Sequence, residues 1–179
     1  MRHKISDSPV LVIVRVRPFL PAEIRAHESS CLDVLTKSTL RIKPNEYKPI
    51  TTPNRYSGYQ SKSSRELSHI FNYDSILTHD ATQERTYKLT GHLLVDKVLE
   101  GYNATIFAYG QTGAGKTHTM MGTQENPGIM LSMTKEILSR YQRQNEDQLG
   151  QAGIEASFIE IYEEKVFDLW KGPASAAKQ

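Results

Sequence analysis

The chain has 179 residues, of which 38% are hydrophobic and 23% charged, and a formal net charge of +2. That length suffices for one domain with a core. The net charge is too small to indicate nucleic-acid binding. No stretch approaches the roughly 20 apolar residues of a membrane span. The N-terminus lacks the apolar segment of a secretory signal, and Cys31 is the single cysteine, so an intracellular protein without disulfides is expected.

The first part of the chain predicts short strands. Residues 10–16, VLVIVRV, are mostly β-branched, as is typical of a strand covered on both faces. A small hairpin is expected at 31–34 and 39–42, and a further strand at 70–73. Between Arg41 and His69 there are six lysines and arginines but two acidic residues, with several prolines and serines. This composition predicts a basic loop insertion at about 43–69.

Helices and strands alternate in the rest of the chain. A long helix capped by Asp80 or Thr82 is expected to run to about Glu100. A second helix is expected over 130–141, and two antiparallel strands over 154–162 and 166–170. Such alternation indicates an α/β fold with helices on both faces of a sheet.

The most specific segment is 103–122, NATIFAYGQTGAGKTHTMMG. Eight of its residues match G-x-x-x-x-G-K-[ST], the phosphate-binding loop, namely Gly110, Gln111, Thr112, Gly113, Ala114, Gly115, Lys116 and Thr117. The apolar run 104–109 predicts a buried strand before the loop, and 116–121 can open a helix after it. This context favours a phosphate site over a glycine turn that matches by chance. We expect backbone N–H groups and the helix N-terminus to face phosphate oxygens. Lys116 would reach the β- and γ-phosphates, and Thr117 would place its hydroxyl on Mg²⁺.

The wording of this loop and its flanks resembles that of the kinesin motor domain. Further matches occur in the family's order: VIVRVRP at 12–18 resembles its first core strand and R-x-R-P motif, FNYD at 71–74 its F-x-F-D segment, and SFIEIY at 157–162 its S-Y-x-E-I-Y strand. The resemblance covers about 9–170. It leaves 1–8 as an N-terminal extension and 171–179 as a tail, and the wording near 156–169 leans toward the chromokinesin group.

The resemblance implies a P-loop NTPase-type mixed sheet, ATP and Mg²⁺ as cofactors, and microtubules as partner of a cytoplasmic, cytoskeletal motor. Lys116 would be the catalytic residue, while Arg15, Arg17 and Pro18 would pack against adenine with His118 stacking on its other face. From residue types alone, Arg15 and Arg17 are better explained as surface arginines that flank a core valine, and His118 as a solvent-facing residue. The adjacent phosphate loop and the R-x-R-P wording reverse this preference.

Two further segments resemble motifs found elsewhere in nucleotide sites. Leu93–Asp96 (LLVD) looks like an apolar strand with a Mg²⁺-holding aspartate, but it falls inside the predicted long helix and is interpreted as a core face with a solvated charge. The segment 63–69, SSRELSH, loosely resembles the family's switch I motif, S-S-R-S-H, yet it lies upstream of the phosphate loop.

Neither S-S-R-S-H nor the switch II motif D-L-A-G-S-E follows Lys116. The expected function is therefore the ATP-binding part of a microtubule motor ATPase, truncated before the switches and inactive in hydrolysis on its own. The alternative is a non-hydrolysing nucleotide-binding module derived from a motor head. An unrelated phosphate-loop kinase or transporter ATPase is a weaker third hypothesis.

Overall fold

The computed structural model describes residues 10–43, 68–144 and 154–171. They fall into two compact units, divided after Glu136. Their elements in chain order are β1 (Ile13–Arg15), α1 (Pro21–Arg25), β2 (Leu32–Val34), β3 (Thr39–Ile42), β4 (His69–Asn72), β5 (Ser75–Leu77), α2 (Gln83–Leu89), α3 (Gly91–Leu99), α4 (Lys116–Met120), α5 (Ile129–Gln144), β6 (Ile159–Tyr162) and β7 (Lys165–Asp168). Within these ranges no helix is both long and apolar enough to cross a membrane.

The first unit combines a parallel and an antiparallel sheet. β1 pairs with β5 in parallel, and β2, β3 and β4 form an antiparallel meander. The predicted hairpin and the strand after it are confirmed. The strand predicted over 10–16 is shorter, because its first residues, Val10 to Val12, are about half exposed and only Ile13–Arg15 join the ladder. This mixture of parallel and antiparallel pairing agrees with the mixed α/β class expected from the sequence.

The basic insertion is seen only at its edges. Lys43 Nζ lies 2.8 Å from the carboxylate of Asp33, which also accepts from Arg41 at 2.6 Å. Residues 44–67, the N-terminal extension 1–8 and the tail from 172 onward lie outside the described residues. The switch-like segment also lies outside them, except for its last two residues, of which His69 begins β4.

The prediction of one unbroken helix up to Glu100 is wrong, because the structure has two helices there. Thr82 is its cap, since Thr82 Oγ1 accepts from the Arg85 amide at 3.1 Å, but the helix breaks at Thr90 into α2 and α3. The Thr90 hydroxyl donates to the Thr86 carbonyl at 2.8 Å, a local bond that competes with regular helix geometry. Gly91 follows the break, and a Cβ there would lie 2.7 Å from the Tyr87 ring and 3.2 Å from Ile129. The break therefore coincides with a close approach to the start of α5.

The buried apolar residues of the described chain all belong to the first unit: Leu40, Ile76, Leu77, Val95 and Ile129. Val95 is fully buried in α3, while Asp96 beside it is exposed. The interpretation of Leu93–Asp96 as a helical core face followed by a charge is thus confirmed.

The strand predicted at 104–109 is wrong. These residues have no regular structure, and Phe107 and Tyr109 are 76% and 96% exposed. A strand interior becomes stable only when ladder partners satisfy its backbone. No described residue pairs with this run, so its apolar character alone does not produce a strand.

The second unit holds the C-terminal part of α5 and a hairpin. α5 extends beyond the predicted 130–141, and β6 pairs antiparallel with β7 as predicted, although 154–158 are not part of the strand. Glu163 and Glu164 form the two-residue turn with φ values of 48° and 63°. Two successive positive φ values match the hairpin turn whose twist fits that of the paired strands.

Candidate functional site

The loop that the sequence predicts to bind phosphate depends on glycine at two positions. Gly113 and Gly115 have φ values of 80° and 95°, and Gly115 is the N-cap residue of α4. A Cβ built at either glycine would meet no atom within 4 Å. Glycine is therefore required for the backbone angle, and the space beside both residues is open, as a cradle for an anion needs.

Lys116 lies folded over this loop. Its Nζ donates to the carbonyl oxygens of Gly110 at 2.8 Å and of Gln111 at 2.9 Å. The ammonium group thus places a positive charge at the loop with one of its three N–H donors remaining. The next residue, Thr117, is exposed, so its hydroxyl is accessible beside the lysine.

These residues fit a magnesium-bound phosphate ligand. The open glycine cradle, the Lys116 ammonium and the hydroxyl of the exposed Thr117 are the kinds of group that bind phosphate oxygens and complete the coordination of Mg²⁺. The described residues contain no cluster of three His, Cys, Asp or Glu side chains. A metal here would depend on ligand phosphates, which is the usual mode for Mg²⁺.

The Arg15 guanidinium donates hydrogen bonds to three protein acceptors. Nη1 donates to Gln83 Oε1 at 2.7 Å and to Thr119 Oγ1 at 3.0 Å, and Nη2 donates to the Ala81 carbonyl at 3.2 Å. Burial lowers the pKa of the Arg15 guanidinium. β1 is thereby connected directly to α4, the helix that follows the phosphate loop.

Arg17 has a different partner, Glu23 of α1. The two side chains form a bidentate pair at 2.5 and 2.7 Å, and Glu23 also accepts from the Leu20 amide at 2.7 Å. The hydrogen bond from Arg17, helped by that from Leu20, lowers the pKa of Glu23 to about 2. This pair determines the direction of the segment that follows β1, where Pro18 is exposed.

His118 lies on α4 and is exposed. Its main-chain carbonyl accepts from Gln83 Nε2 at 2.5 Å, and Gln83 also binds Arg15. Arg15 and the His118 backbone thus bind the same buried side-chain amide, that of Gln83. The sequence prediction missed Gln83, because a glutamine directly after a helix cap has no pattern that distinguishes it from a surface residue.

Comparison with known proteins adds to this geometry. The family model described as "Kinesin motor domain" matches residues 15–179. The chain is 37% identical over 174 residues to "Kinesin-like protein KIF18B" of Mus musculus, covering 94% of this chain and 20% of that protein. It is 38% identical to "Kinesin-like protein Klp98A" of Drosophila melanogaster, with 90% and 12% covered, and 36% identical to "Kinesin-like protein KIN-8A" of Arabidopsis thaliana, with 92% and 21% covered. The chain therefore spans about a fifth or less of the length of these relatives.

Proposed function

Because this chain belongs to the kinesin motor domain family, we propose that it forms the ATP-binding part of a microtubule motor ATPase. The observation that carries the proposal is the glycine loop with the Lys116 ammonium folded across it. The family membership excludes the hypothesis of an unrelated phosphate-loop kinase or transporter.

Each residue has a distinct proposed role at this site. The backbone N–H groups of 110–117 and the Lys116 ammonium bind the phosphates, with Lys116 exchanging its carbonyl partners for the more strongly attracting phosphate oxygens. Thr117 contributes its hydroxyl to Mg²⁺. When bound, the ion neutralises charge on the β- and γ-phosphates. Pro18, the face of the Arg15 guanidinium and the exposed His118 ring sandwich the adenine, and Arg17 with Glu23 orients the segment that carries Pro18.

Replacing Lys116 tests the phosphate site. Lys116→Ala removes a charge-assisted contact worth about 1.5–3 kcal/mol, so the affinity for Mg-ATP should fall roughly ten- to a hundredfold, measured by titration calorimetry. Lys135→Ala, the same change at an exposed position of α5, serves as the control and should leave the affinity unaltered. Equal affinities of Lys116→Ala and the parent would refute the assignment.

Hydrolysis requires groups that this stretch does not supply. In the family, switch I and switch II sense the γ-phosphate and orient the attacking water, and neither motif occurs among the 179 residues. We therefore propose that residues 1–179 bind ATP without turning it over and that the longer motor moves along microtubules of the cytoskeleton. The second candidate is a head-derived module that binds the nucleotide and does not hydrolyse it.

Turnover measurements separate these possibilities. The purified 179-residue chain should release no phosphate above background from ATP, with or without microtubules. Microtubule-stimulated phosphate release by this chain would contradict the proposed inactivity. If the parent is a motor, joining residues 1–179 to a segment that carries both switch motifs should restore phosphate release from ATP. A non-hydrolysing module should release no phosphate even when it is joined to that segment.

A further inference from the structure

Gln83 is a buried polar side chain beside the proposed nucleotide site, and the preceding mechanism leaves it without a role. It is the first residue of α2 and only 8% exposed. Both ends of its amide have partners: Oε1 accepts from Arg15 Nη1 at 2.7 Å, and Nε2 donates to the His118 carbonyl at 2.5 Å. A buried amide with both ends paired holds its partners at fixed separation.

The chemistry of the two partners determines the orientation of this amide. A guanidinium only donates and a main-chain carbonyl only accepts, so the amide oxygen must face Arg15 and the nitrogen must face His118. Neither a carboxylate nor an apolar side chain can satisfy both partners at once. Glutamine is the residue whose length and polarity match this gap.

Three elements meet at this amide. Arg15 ends β1, Gln83 begins α2, and the His118 carbonyl belongs to α4 directly after the phosphate loop. Arg15 Nη1 also donates to Thr119 Oγ1 in α4 at 3.0 Å. The amide thus connects the R-x-R-P strand with the helix that carries the histidine ring.

We propose that Gln83 is a positioning residue for the base-binding side of the nucleotide site. By holding Arg15 and the His118 backbone together, it determines the separation between the two faces that enclose the adenine. It touches neither the base nor the phosphates. The inference rests on the proposed ATP binding and extends it to a residue outside the recognised motifs.

A positioning role and a merely structural role predict different ligand dependence. If Gln83 positions the base site, its loss weakens binding of a ligand that has a base and leaves binding of bare phosphates intact. If it only stabilises the fold, both ligands lose affinity together or neither does. Mg-ATP and magnesium tripolyphosphate are therefore the two probes.

The experiment compares Gln83→Met and Gln83→Glu with the parent 179-residue chain by titration calorimetry. Methionine keeps the length and burial but loses both hydrogen bonds, and glutamate keeps the Arg15 bond while it cannot donate to the His118 carbonyl. We expect ATP affinity to fall about five- to thirtyfold in both variants, and tripolyphosphate affinity to stay within about twofold. His118→Ala, which removes the ring itself, sets the upper limit of this loss. Gln142→Met, an exposed glutamine of α5, is the matched control and should not alter either affinity.

Each outcome decides the proposal. Unchanged ATP affinity in Gln83→Met, or equal losses for both ligands in a variant with native circular dichroism, overturns it. Normal ATP affinity in Gln83→Glu shows that the bond to His118 is dispensable, which also overturns it. If Gln83→Met fails to fold, Gln83→Glu decides. A parent chain that binds neither ligand refutes the proposed function itself, whereas a parent that binds both while the variants behave like it refutes only the role of Gln83.

Discussion

Arg15 and Arg17 are two positions apart, yet their guanidinium groups bind partners in different parts of the fold. Arg15 is partly buried and donates to acceptors on α2, α4 and the segment before α2. Arg17 forms a local, bidentate pair with Glu23. Because bidentate Arg–carboxylate pairs have defined geometry as well as charge, the second pair orients the chain just after β1.

The lowered pKa of the Glu23 carboxyl predicts that the stability of the fold depends on pH. Its pKa of about 2, against an ordinary value of 4.5, means that the folded chain binds the proton less readily than the unfolded chain. The stabilisation is therefore complete above about pH 4.5 and is lost as the pH falls toward 2. Glu23→Gln should lower the urea midpoint at pH 7 and should lower it progressively less toward pH 3. A difference between parent and variant that is as large at pH 3 as at pH 7 would contradict the assignment.

At the scale of elements, α2 depends on the cap at its first turn. The Thr82 hydroxyl satisfies the Arg85 amide, one of the four N–H groups that a helix start leaves without a partner. The cap also determines where Gln83 begins the helix, so α2 starts with its buried amide next to Arg15.

Removing the cap should therefore destabilise the first unit. Thr82→Ala should lower the free energy of unfolding by about 1 kcal/mol, measured by urea denaturation. The matched control is Thr134→Ala in α5, where the hydroxyl donates to the Met130 carbonyl within the helix. That change should be neutral or slightly stabilising, because alanine is the better helix former. Equal losses in both variants would show that the Thr82 cap contributes nothing specific.

At the scale of the whole molecule, the described core is concentrated in the first unit. Val95 is fully buried there, whereas Val166 in the hairpin of the second unit is 43% exposed. Several large apolar side chains of that hairpin and its flanks are also exposed: Ile159, Ile161, Tyr162 and Trp170. Apolar burial, the main favourable term in folding, is thus unequally distributed between the units.

This distribution predicts unequal sensitivity to truncation of side chains. Val95→Ala should lower the free energy of unfolding by about 1.5–3 kcal/mol, because it removes buried methyl groups and leaves a cavity. Val166→Ala should change it by less than about 0.5 kcal/mol. Urea denaturation of both variants checks this, and a larger effect at Val166 than at Val95 would refute the placement of the core.

The sequence by itself determined the local features of this protein. The glycine loop at 110–117, the hairpins at 31–42 and 154–170 and the family resemblance were predicted from residues close together in the chain, whose turn and glycine requirements are local. The start of α2 was also predicted, but the structure decided between Asp80 and Thr82 as its cap. The helix break at Thr90 escaped prediction, because it combines a local threonine hydrogen bond with a close approach to Ile129.

Only the tertiary structure decided which distant groups meet. The side-chain partners of Arg15 lie 68 and 104 positions away at Gln83 and Thr119, and no periodicity in the sequence encodes such hydrogen bonds. The run 104–109 shows the converse: its composition favours a strand, but a strand needs ladder partners, and the described chain pairs none with it. Propensity acts through neighbours in sequence, whereas pairing and burial depend on neighbours in space.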